Sequence, residues 1–309
     1  MTTKHAIHAD FAKLPGFTLK FKQPLLGLIN TMAGVQCFFT KRSLTVELEN
    51  HRLTRADGST LKLFTLSPPG VGDSAPALIY YHGGGFGITY AGLHVTNCQR
   101  YAIESGCKVI FVEYRLAPKR PFPYGFDDCY QTLEWTLANA SKLGIDRSRI
   151  AVGGDSAGGA LAAGVAQKAR DENLTDLCGQ LLIYPVTDNT CSTQSATQFV
   201  DVPVWNAVSN RYMWDMYLKD FSGEQAPAYA APGHGNTDNL SLCYVETAEF
   251  DPLRDEGRAY TASLKASGVD VVEHFAAGAV HGYDAMEESE VTQQGMQARV
   301  DFLRQAFCS

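Results

Sequence analysis

Nowhere along the 309-residue chain do lysines and arginines cluster, and the formal net charge is −7. A protein that reads phosphates needs a basic surface, so nucleic acid is excluded as a partner and a neutral or small ligand is expected. Long apolar runs are missing as well. The longest near the start, from Leu25 to Phe39, is broken by Asn30 and Gln36 and falls short of the ~20 residues that a membrane span requires. It reads as a lid or core helix, and stable membrane insertion is excluded. The 8 cysteines include no C-x-x-C pair and no histidine at ligand spacing. Neither a disulfide framework nor a metal site is expected, and the thiols read as reduced and mostly buried. The opening Met-Thr-Thr-Lys-His-Ala-Ile-His has no apolar core followed by a small-residue cleavage site, which makes the cytoplasm the expected location.

What the chain does have is apolar mass, 45% of its residues, enough for one large α/β domain or two smaller ones. Short β-rich runs fall at 44–53, 61–66, 77–81, 108–114, 149–153, 179–184, 242–247 and 271–275. From the third onward they alternate with helical patterns such as Phe126, Tyr130, Leu133 and Leu137, or Met296, Val300, Leu303 and Phe307. Alternating strand and helix predicts a mostly parallel eight-stranded sheet covered by helices on both faces. Two stretches break the rhythm. About 40 residues precede the first strand, and about 55 separate Tyr184 from Leu242, far more than the usual connection in α/β units. The second stretch carries Trp205, Tyr212, Met213, Trp214, Met216, Tyr217 and Phe221, which read either as the packing of an added helix or as a lid lining a pocket.

Glycine marks the places where chemistry is expected. Gly154-Asp155-Ser156-Ala157-Gly158 runs from a β-rich strand into the helix-forming Ala160-Leu161-Ala162-Ala163. This is G-x-S-x-G in the strand–turn–helix context that exposes a serine oxygen at the carboxyl edge of a sheet. A phosphate loop is the competing reading, but Gly159 stands where that loop needs lysine. Attack by Ser156 on a carbonyl would create an oxyanion, best stabilised by backbone N–H groups aimed at it. His82-Gly83-Gly84-Gly85 follows the third strand and lets the main chain approach that closely, with the Ala157 N–H completing the hole. His82 itself reads as a structural histidine that hydrogen-bonds the loop. Downstream of Ser156 lie His234, His274 and His281. His234 precedes every plausible acid and His274 is fixed within a strand, so His281, in the loop after the last strand, is the expected base. For the acid, Glu249, Asp251 and Asp255 are available. Asp251 is favoured because it lies at the strand end before Pro252, whereas Asp255 falls in the first turn of a helix; assistance from Glu249 stays open.

Together these segments resemble the hormone-sensitive-lipase-like family of α/β-hydrolase esterases. The likeness rests on His82-Gly-Gly-Gly-Phe86, Tyr114-Arg-Leu-Ala-Pro118 with Phe122-Pro123, Gly154-Asp-Ser-Ala-Gly-Gly159, Asp251-Pro-Leu-Arg-Asp255 and His281-Gly282, in the family's order. The resemblance implies a triad of Ser156, Asp251 and His281, with Gly83, Gly84 and Ala157 as leading oxyanion donors and Gly85 as a further one. It also implies a helical cap built from residues 1–42 and 186–240 over a catalytic domain of 43–185 and 241–309. Phe86, Lys119 and Tyr283 depart from the usual Trp, Glu and Phe, which bears on substrate shape. Phe39, Trp205 and Trp214, with Phe86, are expected to crowd the pocket above Ser156. The implied activity is hydrolysis of short-chain acyl esters through an acyl-enzyme, with no cofactor or metal, acting on a small-molecule ester. A homo-oligomer is compatible with the sequence. Amide hydrolysis by the same triad and, more remotely, a non-catalytic small-molecule receptor are the competing readings; the presence of His281 argues against the receptor.

Overall fold

The computed structural model describes residues 5–308 other than 23, 43, 175, 176 and 224, so those positions and the expected segment ends at 1–4 and 309 lie outside the described residues. Each of the expected β-rich runs forms a strand: β1 (Glu47–Thr54), β2 (Thr60–Ser67), β3 (Ala75–Tyr81), β4 (Lys108–Glu113), β5 (Ile145–Asp155), β6 (Gly179–Ile183), β7 (Cys243–Phe250) and β8 (Val271–Val280). They make one 8-stranded sheet in the order β1-β2-β4-β3-β5-β6-β7-β8. β1–β2 and β2–β4 pair antiparallel, and all other neighbours pair parallel.

Strand alternation sorts the core into two layers. Ala77, Ile79 and Tyr81 of β3 pack with α3 (Tyr124–Leu143), α4 (Ala157–Asp171) and α7 (Arg254–Ala266). Leu78 and Tyr80 face the opposite way, onto α2 (Gly92–Ser105) and α8 (Glu290–Cys308). Burial on both faces explains why β3 and β6 read as continuous apolar runs.

The two irregular stretches meet. The extended residues before α1 (Leu25–Arg42) lie against the insert, which contributes α5 (Gln194–Gln198) and α6 (Ala207–Tyr217), while α1 itself packs on α2. The Val204 N–H donates to Pro15 O at 3.0 Å, the Leu19 N–H to Ser209 Oγ at 2.9 Å, and Asn206 Nδ2 to Phe17 O at 3.2 Å. Not all of either stretch joins this contact. Phe11 packs on Tyr283 beside the end of β8, and Tyr229 returns to stack on Phe126 of α3. Among the described residues no helix is long and apolar enough to cross a membrane.

Charge is buried below the carboxyl edge of the sheet. Arg299 of α8, 1% exposed, donates to Glu246 of β7 through Nε at 2.8 Å and to Asp284 through Nη1 at 2.5 Å. The hydroxyls of Tyr244 and Tyr283 donate to Glu246, and that of Tyr184 to Asp284. Tyr283 fits only because residue 295 is glycine: a Cβ there would lie 2.2 Å from the tyrosine oxygen. Removing the guanidinium would leave two carboxylates buried beside each other, a change that costs about 3–5 kcal/mol in comparable pairs. Arg299→Met should lower stability by that amount in urea unfolding; a loss under about 1 kcal/mol would show that the carboxylates simply protonate.

Candidate active site

Three strand ends deliver the expected triad. Ser156 follows β5 with φ 55° and ψ −119°, a backbone conformation that an L-residue adopts only when its surroundings over-determine it. They do so here. The Ser156 N–H donates to Ile183 O at 2.8 Å, and a Cβ on Gly158 would lie 1.9 Å from Tyr81 O, so the turn presses directly on β3. His281 follows β8 and Asp251 follows β7. His281 Nε2 lies 2.9 Å from Ser156 Oγ and Nδ1 lies 2.7 Å from Asp251 Oδ2. The carboxylate can only accept, so Nδ1 carries a proton and Nε2 is free to accept the serine hydroxyl. Asp251 Oδ1 also accepts the Leu253 N–H at 2.9 Å, which holds the fully buried carboxylate in place. The Tyr184 ring packs edge-on against the imidazole, with centroids 4.7 Å apart.

The competing residues are engaged elsewhere. Glu249 Oε2 accepts the Gly278 N–H, bracing β7 on β8. Asp255 accepts from the Ser195 N–H and from Arg254, fastening α5 to the start of α7. His234 is hydrogen-bonded to Asn189, and His274 stacks on Tyr244 within the sheet.

The glycine loop departs from expectation in its register. The Gly83 N–H, expected as a leading oxyanion donor, points at Asp155 and donates to Oδ1 at 2.9 Å. It is occupied by a carboxylate. Among the described residues the N–H groups of Gly84, Gly85 and Ala157 have no protein acceptor, so in this loop the N–H groups left for a ligand begin one residue later than Gly83. The loop is held from behind. His82 Nδ1 donates to Gly83 O at 2.6 Å, Tyr114 OH donates to His82 O at 2.6 Å, and the Ala117 N–H donates to Phe86 O at 2.9 Å. Burial, with help from His94, lowers the His82 pKa to about 3, so His82 is a neutral strut.

Asp155 ties loop and elbow together. Its Oδ1 also accepts from Tyr80 OH at 2.8 Å, and Oδ2 lies 3.3 Å from His94 Nε2 at the start of α2. Burial opposes its charge, but His94, Tyr80 and the neighbouring His82 outweigh it and hold the carboxyl well below its ordinary range. For His94, burial again opposes charge and Asp155 more than offsets it, raising its pKa. Once Nδ1 loses its proton it accepts the Ala91 N–H at 2.9 Å, and Nε2–H still faces Asp155.

Above the loop, the cap stretches meet the glycines. A Cβ on Gly85 would lie 2.9 Å from both Phe21 Cζ and Trp205 Cη2, and one on Gly87 would lie 2.8 Å from Met216 Cε. The Trp205 ring centroid is 6.0 Å from that of His281. Phe86 and Trp214 are both buried, Phe86 stacking on Tyr217 at 3.7 Å and lying 6.0 Å from Trp214. Phe39 does not join them. Its side chain is 64% exposed on the outer face of α1, because the helix turns Leu26 and Cys37 inward instead. Lys119 is exposed away from the cluster. Phe21 escaped the sequence reading because it sits in an extended segment without periodicity, and Asp155 because its motif position drew attention only to the serine.

The model of the alpha/beta hydrolase fold family matches residues 78–285. The chain is 40% identical over 219 residues to carboxylesterase NlhH of Mycobacterium tuberculosis, covering 70% of this chain and 69% of that protein. It is 34% identical over 258 residues to ethyl acetate hydrolase of Pseudomonas putida, covering 82% and 81%. Among solved structures it is similar to bacterial heroin esterase, with a TM-score of 0.89, 34% identity and coverage of 98% and 99%. The chain belongs to the alpha/beta hydrolase fold family, in its hormone-sensitive-lipase-like branch.

The Asp155 clasp has a pH signature. A carboxyl whose folded pKa lies below its unfolded value adds stability above the unfolded pKa, 3.8, and loses it as pH falls toward the folded one. A histidine with a raised pKa adds stability below 6.5 and loses it as pH rises through the folded value. The stability gap between wild type and Asp155→Asn should therefore be widest between about pH 4 and 6.5 and narrow on either side. Urea unfolding across that range measures it; a gap independent of pH would mean that Asp155 acts only through uncharged contacts.

Proposed function

We propose that the chain is a serine carboxylic ester hydrolase that acts on short acyl esters. The observation that carries this reading is His281 within hydrogen-bond distance of both Ser156 and Asp251. Ser156 Oγ attacks the ester carbonyl while His281 Nε2 takes its proton, and Asp251 steadies the imidazolium. The oxyanion that forms accepts from the N–H groups of Gly84, Gly85 and Ala157. Collapse breaks the bond to the alkoxy oxygen, which leaves as the alcohol with the proton from His281. Water then attacks the acyl-enzyme, giving its proton to the same nitrogen, and the carboxylic acid departs as Ser156 recovers its hydrogen. The names of the relatives, a carboxylesterase and an ethyl acetate hydrolase, favour esters over amides.

In the same proposal, the N-terminal segment and the middle of the insert form the cap, and Phe21, Trp205, Met213 and Met216 limit the acyl group. Gly85 and Gly87 supply the room into which these side chains reach. Each methylene added to the acyl chain gains up to ~0.8 kcal/mol when buried, until the wall is met and overpacking costs ~1–3 kcal/mol.

Ser156→Ala should reduce hydrolysis of p-nitrophenyl acetate by roughly 10³-fold or more with folding intact. Near-normal turnover by a folded mutant would remove the assignment. Asp251→Asn should cut kcat far more than Asp255→Asn, and the reverse ranking would move the orienting acid. Activity across acyl lengths should peak between acetyl and hexanoyl, and Phe21→Ala should shift the peak by about two carbons, the depth opened by removing a buried ring. An unmoved profile would place the wall elsewhere.

A further inference from the structure

The outer face of α1 is apolar and open to solvent. Leu25, Leu28, Met32, Val35, Phe38 and Phe39 lie along one side of the helix, each at least 54% exposed, while Leu26 and Cys37 anchor the other. Between Pro24 and Thr40 there is no charged residue. Monomeric proteins seldom leave so continuous an apolar stripe uncovered.

Charge identifies what covers it. From Phe11 to Val46 the sequence has no Asp or Glu but carries Lys13, Lys20, Lys22, Lys41 and Arg42. Lys13, Lys20 and Lys22 are exposed on the approach to the helix, with Phe17 between them 50% exposed; Lys41 is bound to Glu113. The chain as a whole is at −7, so a basic, apolar end projects from an acidic body. Antiparallel pairing of α1 with a second copy would leave Lys13, Lys20 and Lys22 without an opposite charge from the facing segment, which carries no Asp or Glu. An anionic lipid surface satisfies both features, taking up the apolar stripe and attracting the lysines.

We propose that α1 is a peripheral docking face for anionic lipid, lying in the plane of the bilayer interface without crossing it. The inner face of the same helix reaches the site: Asn30 Nδ2 donates to Gly87 O at 3.2 Å and Asn30 Oδ1 accepts the Thr89 N–H at 2.9 Å. Docking therefore sets the outside of the cap on the lipid while its inside rests on the loop that follows the oxyanion glycines. The inference stands apart from the ester-hydrolase reading, because binding is measured without turnover.

The test is co-sedimentation of the full chain with phosphatidylglycerol or phosphatidylcholine vesicles, at low and high salt, beside sedimentation velocity without lipid. Binding to phosphatidylglycerol should exceed that to phosphatidylcholine by about tenfold and weaken with salt. Leu28→Gln with Met32→Gln, and separately Lys20→Glu with Lys22→Glu, should each reduce it about tenfold. Turnover of soluble p-nitrophenyl acetate should be unchanged in the Leu28/Met32 variant, which shows that it is folded. Absence of vesicle binding, or equal binding by wild type and either variant, overturns the proposal. So does a wild-type dimer that the Leu28/Met32 variant converts to monomer, since the stripe would then be an interface between copies.

Discussion

A single buried carboxylate holds the reaction centre together. Asp155 ends β5, its backbone leads into the strained serine, and its side chain receives the Gly83 N–H from the loop after β3 and the Tyr80 hydroxyl from within β3. An unpaired charge at such depth would be prohibitive; those two donors and the imidazole of His94 make it favourable. Because the carboxylate takes up the Gly83 N–H, the N–H groups of the loop that have no protein acceptor begin at Gly84. Placement of the proposed anion binder is thus tied to charge satisfaction behind it.

The same device recurs beneath the other catalytic strand ends. Arg299 holds Asp284, three residues beyond His281, and Glu246 within β7, whose end carries Asp251. Asp128 of α3 receives both Arg55 and Arg115, the latter at the start of the turn that supports Phe86. Around Arg299 two carboxylates share one guanidinium, and around Asp128 two guanidinium groups share one buried carboxylate, with Arg115 also reaching Asp57; such buried pairs are weak as a source of net stability but intolerant of displacement. Loops at the carboxyl edge have little regular hydrogen bonding of their own, and these clusters supply the fixed points that helices and strands supply elsewhere.

Much of this was legible in the sequence, for identifiable reasons. The strands showed because parallel strands buried on both faces are uninterrupted apolar runs. The serine, acid and histidine showed because chain order and the need for bare backbone restrict where each can fall. The donor register did not show: three consecutive glycines are equivalent as letters, and only the side chain of Asp155 distinguishes the first. The orientation of α1 was equally hidden. Apolar residues occupy both of its faces, so periodicity could not say that Leu26 and Cys37 turn inward and Phe39 outward. The clusters around Arg299 and Asp128 join residues far apart in the chain, and no local pattern announces such pairings.

The cap adds a constraint of a different kind. Its two halves, distant in sequence, meet through a few neutral hydrogen bonds, each contributing about 1 kcal/mol, and through rings that rest on glycine backbone. Side chains at Gly85 or Gly87 would collide with Phe21, Trp205 or Met216, so the loop proposed to bind developing charge is also the floor on which the N-terminal stretch and the insert rest. In the proposed reaction, side chains resting on this loop would keep water from its N–H groups, where donors aimed at a developing oxyanion act most strongly. Buried charge clusters below and a few neutral hydrogen bonds above thus hold the two sides of this loop by different means.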